Sequence, residues 1–166
     1  MTSKKNYKVL NDCRQMYEDE VFEVILKQRG IADPEHFFNP TEDDLFPLDS
    51  LYRIDEAFDR LDKAIKENEK IAILFDTDLD GTASGAIITR YLRNFTNNIE
   101  TYIDEGKQHG LIGQDIEKFF DVDLLIVVDS LDKNELQYKK LYENKTDVII
   151  LDHHAIKESV PYDDYS

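Results

Sequence analysis

Seven residues could do chemistry together. Asp76, Asp78 and Asp80 alternate in the run D-T-D-L-D-G, Asp129 follows L-L-I-V-V, and Asp152, His153 and His154 follow V-I-I-L. Each group comes directly after a short apolar run, at residues 71–75, 124–128 and 148–151. If those runs are parallel strands, the groups meet beyond one edge of the sheet, where open α/β sheets bind ligands. Carboxylates gathered there repel one another unless cations sit among them. Oxygen ligands with one or two imidazoles suit Mn²⁺, Mg²⁺ or a similar ion. Two such ions about 3.5–4 Å apart can clamp a phosphoryl group and activate water, which points to phosphoester hydrolysis.

Each piece has a simpler explanation when taken alone. An Asp-Gly step favours a turn, Asp129 could cap the helix that follows, and adjacent histidines can be ordinary loop residues. Three such groups at equivalent strand ends are much harder to explain that way. The D-x-D-x-D-G start also resembles a calcium-binding loop. However, the twelfth position of such a loop would be Ile87 rather than Glu, and the loop follows a buried strand instead of a helix.

The elements that must position these residues are legible. Residues 18–28 carry Val21, Phe22, Ile25 and Leu26 on one helical face, with Gly30 as a stop. Asp33-Pro34 opens a short helix through Phe38. Residues 51–69 have the helical period in Ile54, Ala57, Phe58, Leu61, Ala64 and Ile65. Beyond them, strands expected at 71–75, 99–103, 124–128 and 148–151 alternate with helices expected at 82–94, 114–120 and 133–143. The helix at 82–94 is rich in small residues, Ala83, Ser84, Gly85 and Ala86. This alternation predicts an α/β fold, a parallel sheet flanked by helices. The expected division is a helical N-terminal extension at residues 1–50 and an incomplete α/β domain at 51–166.

Composition bounds the function. The formal net charge is −16, which argues against a nucleic-acid-binding surface within this chain and fits either solubility or carboxylates gathered for cations. The single cysteine, Cys13, rules out a disulfide within the chain. The polar start, residues 1–7, is followed by no signal-peptide core, and no apolar run approaches membrane-spanning length. The expectation is a soluble cytoplasmic protein with no membrane partner.

The three motifs, in this order and spacing, resemble those of the DHH phosphoesterase superfamily: Asp76 to Gly81 the first, Asp129 the second, and Asp152-His153-His154 the third. Within the superfamily the likeness is to RecJ-type single-strand-specific 5′-to-3′ DNA exonucleases. It extends to Arg29-Gly30-Ile31, the helix at 51–69, the run 71–75 and His109-Gly110-Leu111. The resemblance implies two ions, Mn²⁺ or Mg²⁺, with Asp78 and Asp80 each holding one, Asp129 bridging both, and His153 a ligand. It implies that His154 contacts the scissile phosphate or assists the leaving oxygen, so that catalysis rests on Asp80, Asp129 and His154. Asp76 and Asp152 become ligands themselves or carboxylates that hold a ligand's ring.

Two departures stand beside it. Leu74 occupies a position where some members have His, and Ser130-Leu131 follows Asp129 where a small pair such as Cys-Gly is common. The family's fourth motif and substrate-gripping domain lie beyond the third motif, and Asp163 and Asp164 are too close to it to serve. The expectation is therefore the amino-terminal part of a longer or split enzyme that degrades single-stranded DNA, completed by a C-terminal part or a second chain. Two alternatives are a DHH phosphoesterase for short oligonucleotides or cyclic dinucleotides, and an inactive RecJ-related scaffold.

Overall fold

The structure, a computed structural model, describes residues 18–104, 109–131 and 135–154. Cys13, Asp163, Asp164 and the expected helix start at 133–134 lie outside the described residues. Contacts cluster the chain into two units, residues 1–50 and 51–166.

In the first unit, helix α1 (Glu18–Gln28) ends as Gly30 turns through φ +73° and the Ile31 amide donates to the Leu26 carbonyl at 3.0 Å. Leu26 is buried, whereas Phe22 and Ile25 of the same face are exposed. Helix α2 (Pro34–Phe38) is capped by Asp33, whose carboxylate accepts from the His36 amide at 3.1 Å, and Pro34 occupies the first turn where no amide is needed.

The second unit is built on four parallel strands: β1 (Ile71–Phe75), β2 (Ile99–Ile103), β3 (Leu124–Val128) and β4 (Asp147–Leu151). Their spatial order is β2-β1-β3-β4. The central strands β1 and β3 are buried along their whole length, as their unbroken apolar runs require. Alternate residues feed opposite layers. Ile71, Ile73, Phe75, Leu124, Ile126 and Val128 pack with Ala64 and Leu92, from helices α3 (Ile54–Lys66) and α4 (Leu79–Leu92). Ala72, Leu74, Leu125 and Val127 pack on the other face with Phe119, from a 3₁₀ turn at Ile116–Phe119, and with Tyr138 and Leu141 of α5 (Glu135–Glu143). At ~1.5–3 kcal/mol for each large apolar side chain fully buried, these two layers dominate the stability of the unit.

The main difference from the sequence expectation concerns α4. It begins at Leu79, not at Thr82, and the polar loop shrinks to Asp76, Thr77 and Asp78. Asp78 is the N-cap, its carboxylate accepting from the Gly81 amide at 3.1 Å, so the Asp80-Gly81 step is a first helical turn and not a loop turn. The small residues of α4 divide by face. Gly81 and Gly85 are buried, and a Cβ on Gly81 would lie 2.8 Å from the Asp76 carbonyl oxygen. One on Gly85 would lie 2.5 Å from the Phe75 ring. Two glycines one turn apart thus press the start of α4 against the end of β1.

Candidate metal centre

β1 and β2 are neighbours, but the chain then crosses over β1 to reach β3. The direction of winding changes between β1 and β3, and such a switch opens a crevice at the carboxyl ends of the strands. All four strands deliver an aspartate there: Asp76 after β1, Asp104 after β2, Asp129 after β3 and Asp152 after β4.

Asp129 is the centre of the arrangement. It is 5 % exposed, and its backbone leaves β3 in the left-handed region, φ 53°, which Asp tolerates better than most residues. Its amide still donates to the Leu151 carbonyl at 2.8 Å, which extends the β3–β4 ladder by one residue. Its carboxylate belongs to two groups whose ligand atoms all lie within 4.8 Å of one another, Asp78–Asp80–Asp129 and Asp129–His153–His154. His153 Nε2 is 3.2 Å from Asp129 Oδ1 and 3.8 Å from Asp80 Oδ2. Burial, reinforced by Asp80 and Asp78, pushes the Asp129 carboxyl up, with His153 opposing. Its Oδ1 is desolvated and makes no hydrogen bond among the described residues, despite the nearby His153.

A buried, unsatisfied carboxylate oxygen beside two more carboxylates is costly unless a cation lies among them. Carboxylate oxygens plus imidazole nitrogens are a donor set suited to Mn²⁺ or Mg²⁺. The residues present therefore fit such ions.

Asp76 and Asp152 are placed differently: neither is in the two groups. Asp76 Oδ1 accepts from the Thr77 amide at 2.6 Å, and Asp76 Oδ2 lies 2.9 Å from His109 Nδ1. Asp152 Oδ1 lies 2.9 Å from His154 Nδ1, and its other oxygen accepts from the Leu131 amide at 2.8 Å. Burial works against the charge of Asp152. The His154 and Leu131 amides and the His154 ring outweigh it and hold the carboxyl below its usual value, while the same Asp152 contact raises His154. Asp152 thus grips His154 by Nδ1, and Asp76 lies at ion-pair distance from His109 Nδ1; a carboxylate at Nδ1 fixes a ring for work at Nε2.

Two residues of this neighbourhood are absent from the sequence-derived set. Asp104, 2 % exposed, accepts from Gln114 Nε2 at 2.7 Å and from Ser130 Oγ at 3.2 Å, and burial pushes its carboxyl up. The signal was available, since Asp104 directly follows a strand, but Glu100 and Thr101 interrupt that strand's apolar character. His109 was noted only as part of a segment with Gly110-Leu111. Nothing in its local sequence pairs it with Asp76.

Comparison with known proteins identifies the family. The SPbeta prophage protein YorK of Bacillus subtilis, named as a single-strand DNA-specific exonuclease, is 32% identical over 150 residues, covering 89% of this chain and 25% of that protein. The single-stranded-DNA-specific exonuclease RecJ of Bacillus subtilis is 28% identical over 162 residues, covering 93% of this chain and 20% of RecJ. The chain thus spans a quarter or less of the length of these relatives. A crystal structure of exonuclease RecJ bound to manganese superposes with a TM-score of 0.61 at 26% identity, over 70% of this chain and 31% of that one. Residues 70–165 match the DHH family, N-terminal domain, and on that match, with its motifs converging as described, the chain belongs to the DHH family.

Proposed function

We propose that this chain is the metal-holding part of a RecJ-like exonuclease that hydrolyses phosphodiester bonds of single-stranded DNA from the 5′ end, with two ions, Mn²⁺ or Mg²⁺. The observation that carries the proposal is the shared position of Asp129, whose buried carboxylate belongs to both ligand groups. Asp78, Asp80, Asp129 and His153 would hold the ions, leaving His154 for the phosphate. The bound ions supply charge stabilisation for the phosphoryl group and for the attacking water.

The protein's own residues do the rest. Asp152 holds the His154 ring, 2.9 Å from Nδ1, so that the ring meets the phosphate in a fixed orientation. Gly81 lets α4 approach β1, which brings Asp80 in the first helical turn beside Asp129. The N-terminus of α4 favours the anionic substrate at the same place.

The relatives' greater length supports a further part of the reading. The fourth carboxylate ligand and the basic, aromatic groups that grip a single strand would come from a C-terminal part or a second chain. Among the described residues, no helix is long and apolar enough to cross a membrane. The proposed place of action is the cytoplasm, and the proposed process is DNA repair or recombination.

The test is Mn²⁺ calorimetry together with degradation of single strands labelled at the 5′ or the 3′ end. The parent chain is expected to bind Mn²⁺, and nuclease activity of the chain with its completing part is expected to release the 5′ label first and to vanish in Asp80→Asn. A parent chain with no measurable Mn²⁺ binding would sink the reading. Metal binding without cleavage in the completed protein would instead favour the scaffold alternative.

A further inference from the structure

His109 carries an inference that deepens this reading of the site and rests on it. Its ring has a carboxylate at Nδ1, and the backbone just beyond it is tied down. Nδ1 is 2.9 Å from Asp76 Oδ2, and Asp76 is itself fixed by the Thr77 amide at 2.6 Å. The next residue, Gly110, turns at φ 68°, and its amide donates to Ser130 Oγ at 2.6 Å. Ser130 in turn donates to the buried Asp104 at 3.2 Å, which also accepts from Gln114 at 2.7 Å. The backbone after His109 is therefore tied to the residue that follows Asp129. Ser130 serves as the anchor.

This is more support than a solvent-facing histidine needs. The ring is half exposed, so it is not held for packing. It lies against the site, with its centroid 5.5 Å from that of His154, and His154 lies 4.8 Å from His153. Yet His109 is in neither cation-ligand group. A ring held beside the metal ligands, but not among them, is placed for the substrate.

We propose that His109 is a substrate-contacting residue that hydrogen-bonds a phosphate oxygen of the bound nucleic acid through Nε2, and that Asp76 is its positioning residue. With Asp76 at Nδ1, Nε2 is the ring nitrogen left for a phosphate oxygen. The Asp76–His109 pair then repeats, from β1, the Asp152–His154 pair presented by β4.

The experiment is calorimetry on the full chain, first with Mn²⁺ and then, on the Mn²⁺-loaded protein, with thymidine 5′-monophosphate as the phosphate probe. Parent, His109→Ala and Asp76→Asn are compared, with melting curves as the folding control. His109→Gln replaces the alanine variant if that fails to fold. His109→Ala is expected to bind Mn²⁺ like the parent and to bind the nucleotide roughly tenfold or more weakly, the size expected for a lost hydrogen bond to a charged group. Asp76→Asn is expected to show a smaller loss in the same direction. Nucleotide binding equal to the parent's in His109→Ala overturns the assignment and leaves the metal centre standing. Loss of Mn²⁺ binding in His109→Ala also overturns it, because the ring would then be a ligand. Absence of Mn²⁺ binding in the parent overturns the metal centre and this assignment together.

Discussion

The two edges of the sheet are both acidic, and they treat their carboxylates in opposite ways. At the amino-terminal edge, carboxylates meet cationic side chains. Arg60 of α3 reaches Asp147 at 2.5 Å, Glu69 at 2.7 Å and the Asp123 carbonyl at 3.1 Å. Lys70, just before β1, reaches Asp121 at 2.7 Å and Glu100 at 3.1 Å, while its amide donates to the Asp123 carboxylate at 2.7 Å. These contacts tie α3, β1, β3 and β4 together, and Asp147 and Glu69 raise the Arg60 guanidinium above its usual value in spite of its burial. At the carboxyl-terminal edge, no Lys or Arg pairs with Asp76, Asp78, Asp80, Asp104, Asp129 or Asp152 among the described residues. Those carboxylates face histidines, hydroxyls, amides and one another. The comparison teaches that acidity alone does not mark a metal centre. What marks it is acidity that the protein leaves unneutralised at the place where its topology opens a crevice.

Substitutions can break or sharpen that contrast. The largest effect is expected for Asp129→Asn, which keeps a residue that tolerates the left-handed backbone. Mn²⁺ affinity should fall roughly hundredfold or more, while the metal-free melting temperature should not fall, because a buried and crowded charge has been removed. A variant that binds Mn²⁺ as the parent does would place the site elsewhere. Arg60→Ala should do the reverse. It takes the 2.7 Å Arg60 contact from the largely buried Glu69 and leaves it Lys63 at 3.5 Å, so urea unfolding should report a loss of about 2 kcal/mol or more, with Mn²⁺ binding unchanged.

Lys70→Ala acts at the same edge, but its partners are solvated, Asp121 most of all. Its cost in the same unfolding assay should be small beside that of Arg60→Ala. A larger loss would mean that Lys70 has a role beyond these solvated pairs. The smallest expected effect is that of Asp104→Asn, a slight gain in stability at neutral pH. Burial raises the folded-state value of Asp104 above its unfolded value, so its ionisation costs stability at neutral pH and that cost disappears as the pH falls below the unfolded value. The variant should therefore gain most on the parent at neutral pH, and the gap should close on acidification through that interval. A gap that widens on acidification would show that Asp104 is stabilised as a carboxylate.

Much of this was legible in the sequence because the apolar runs at 71–75 and 124–128 are unbroken and had to be buried on both faces. The alternation of elements then required parallel strands, and three of the four strand-end aspartates were found from that alone. The strand order was not legible, since it depends on pairings such as Ile71 with both Ile99 and Leu124. The start of α4 was misplaced because Asp80-Gly81 has the composition of a turn. It is helical because Asp78 caps the Gly81 amide and because Gly81 is the residue that fits against Asp76. The different placements of Asp76 and Asp152 were hidden for a related reason. Whether a strand-end carboxylate faces a shared centre or a neighbouring ring depends on residues far away in the chain, such as His109 for Asp76. The left-handed turn at Asp129 had no sequence signal either, as Asp enters many other conformations.

That turn has a consequence for anyone who improves this protein by selecting for folding alone. Asp129 sits in a backbone conformation that glycine adopts freely, and it buries a charge beside two others. Asp129→Gly should relieve both, and a screen for thermal tolerance or expression would then enrich it. The winners of such a screen would be sturdier chains that had lost the residue both ligand groups share, so stability at this position is an inverse readout of the site.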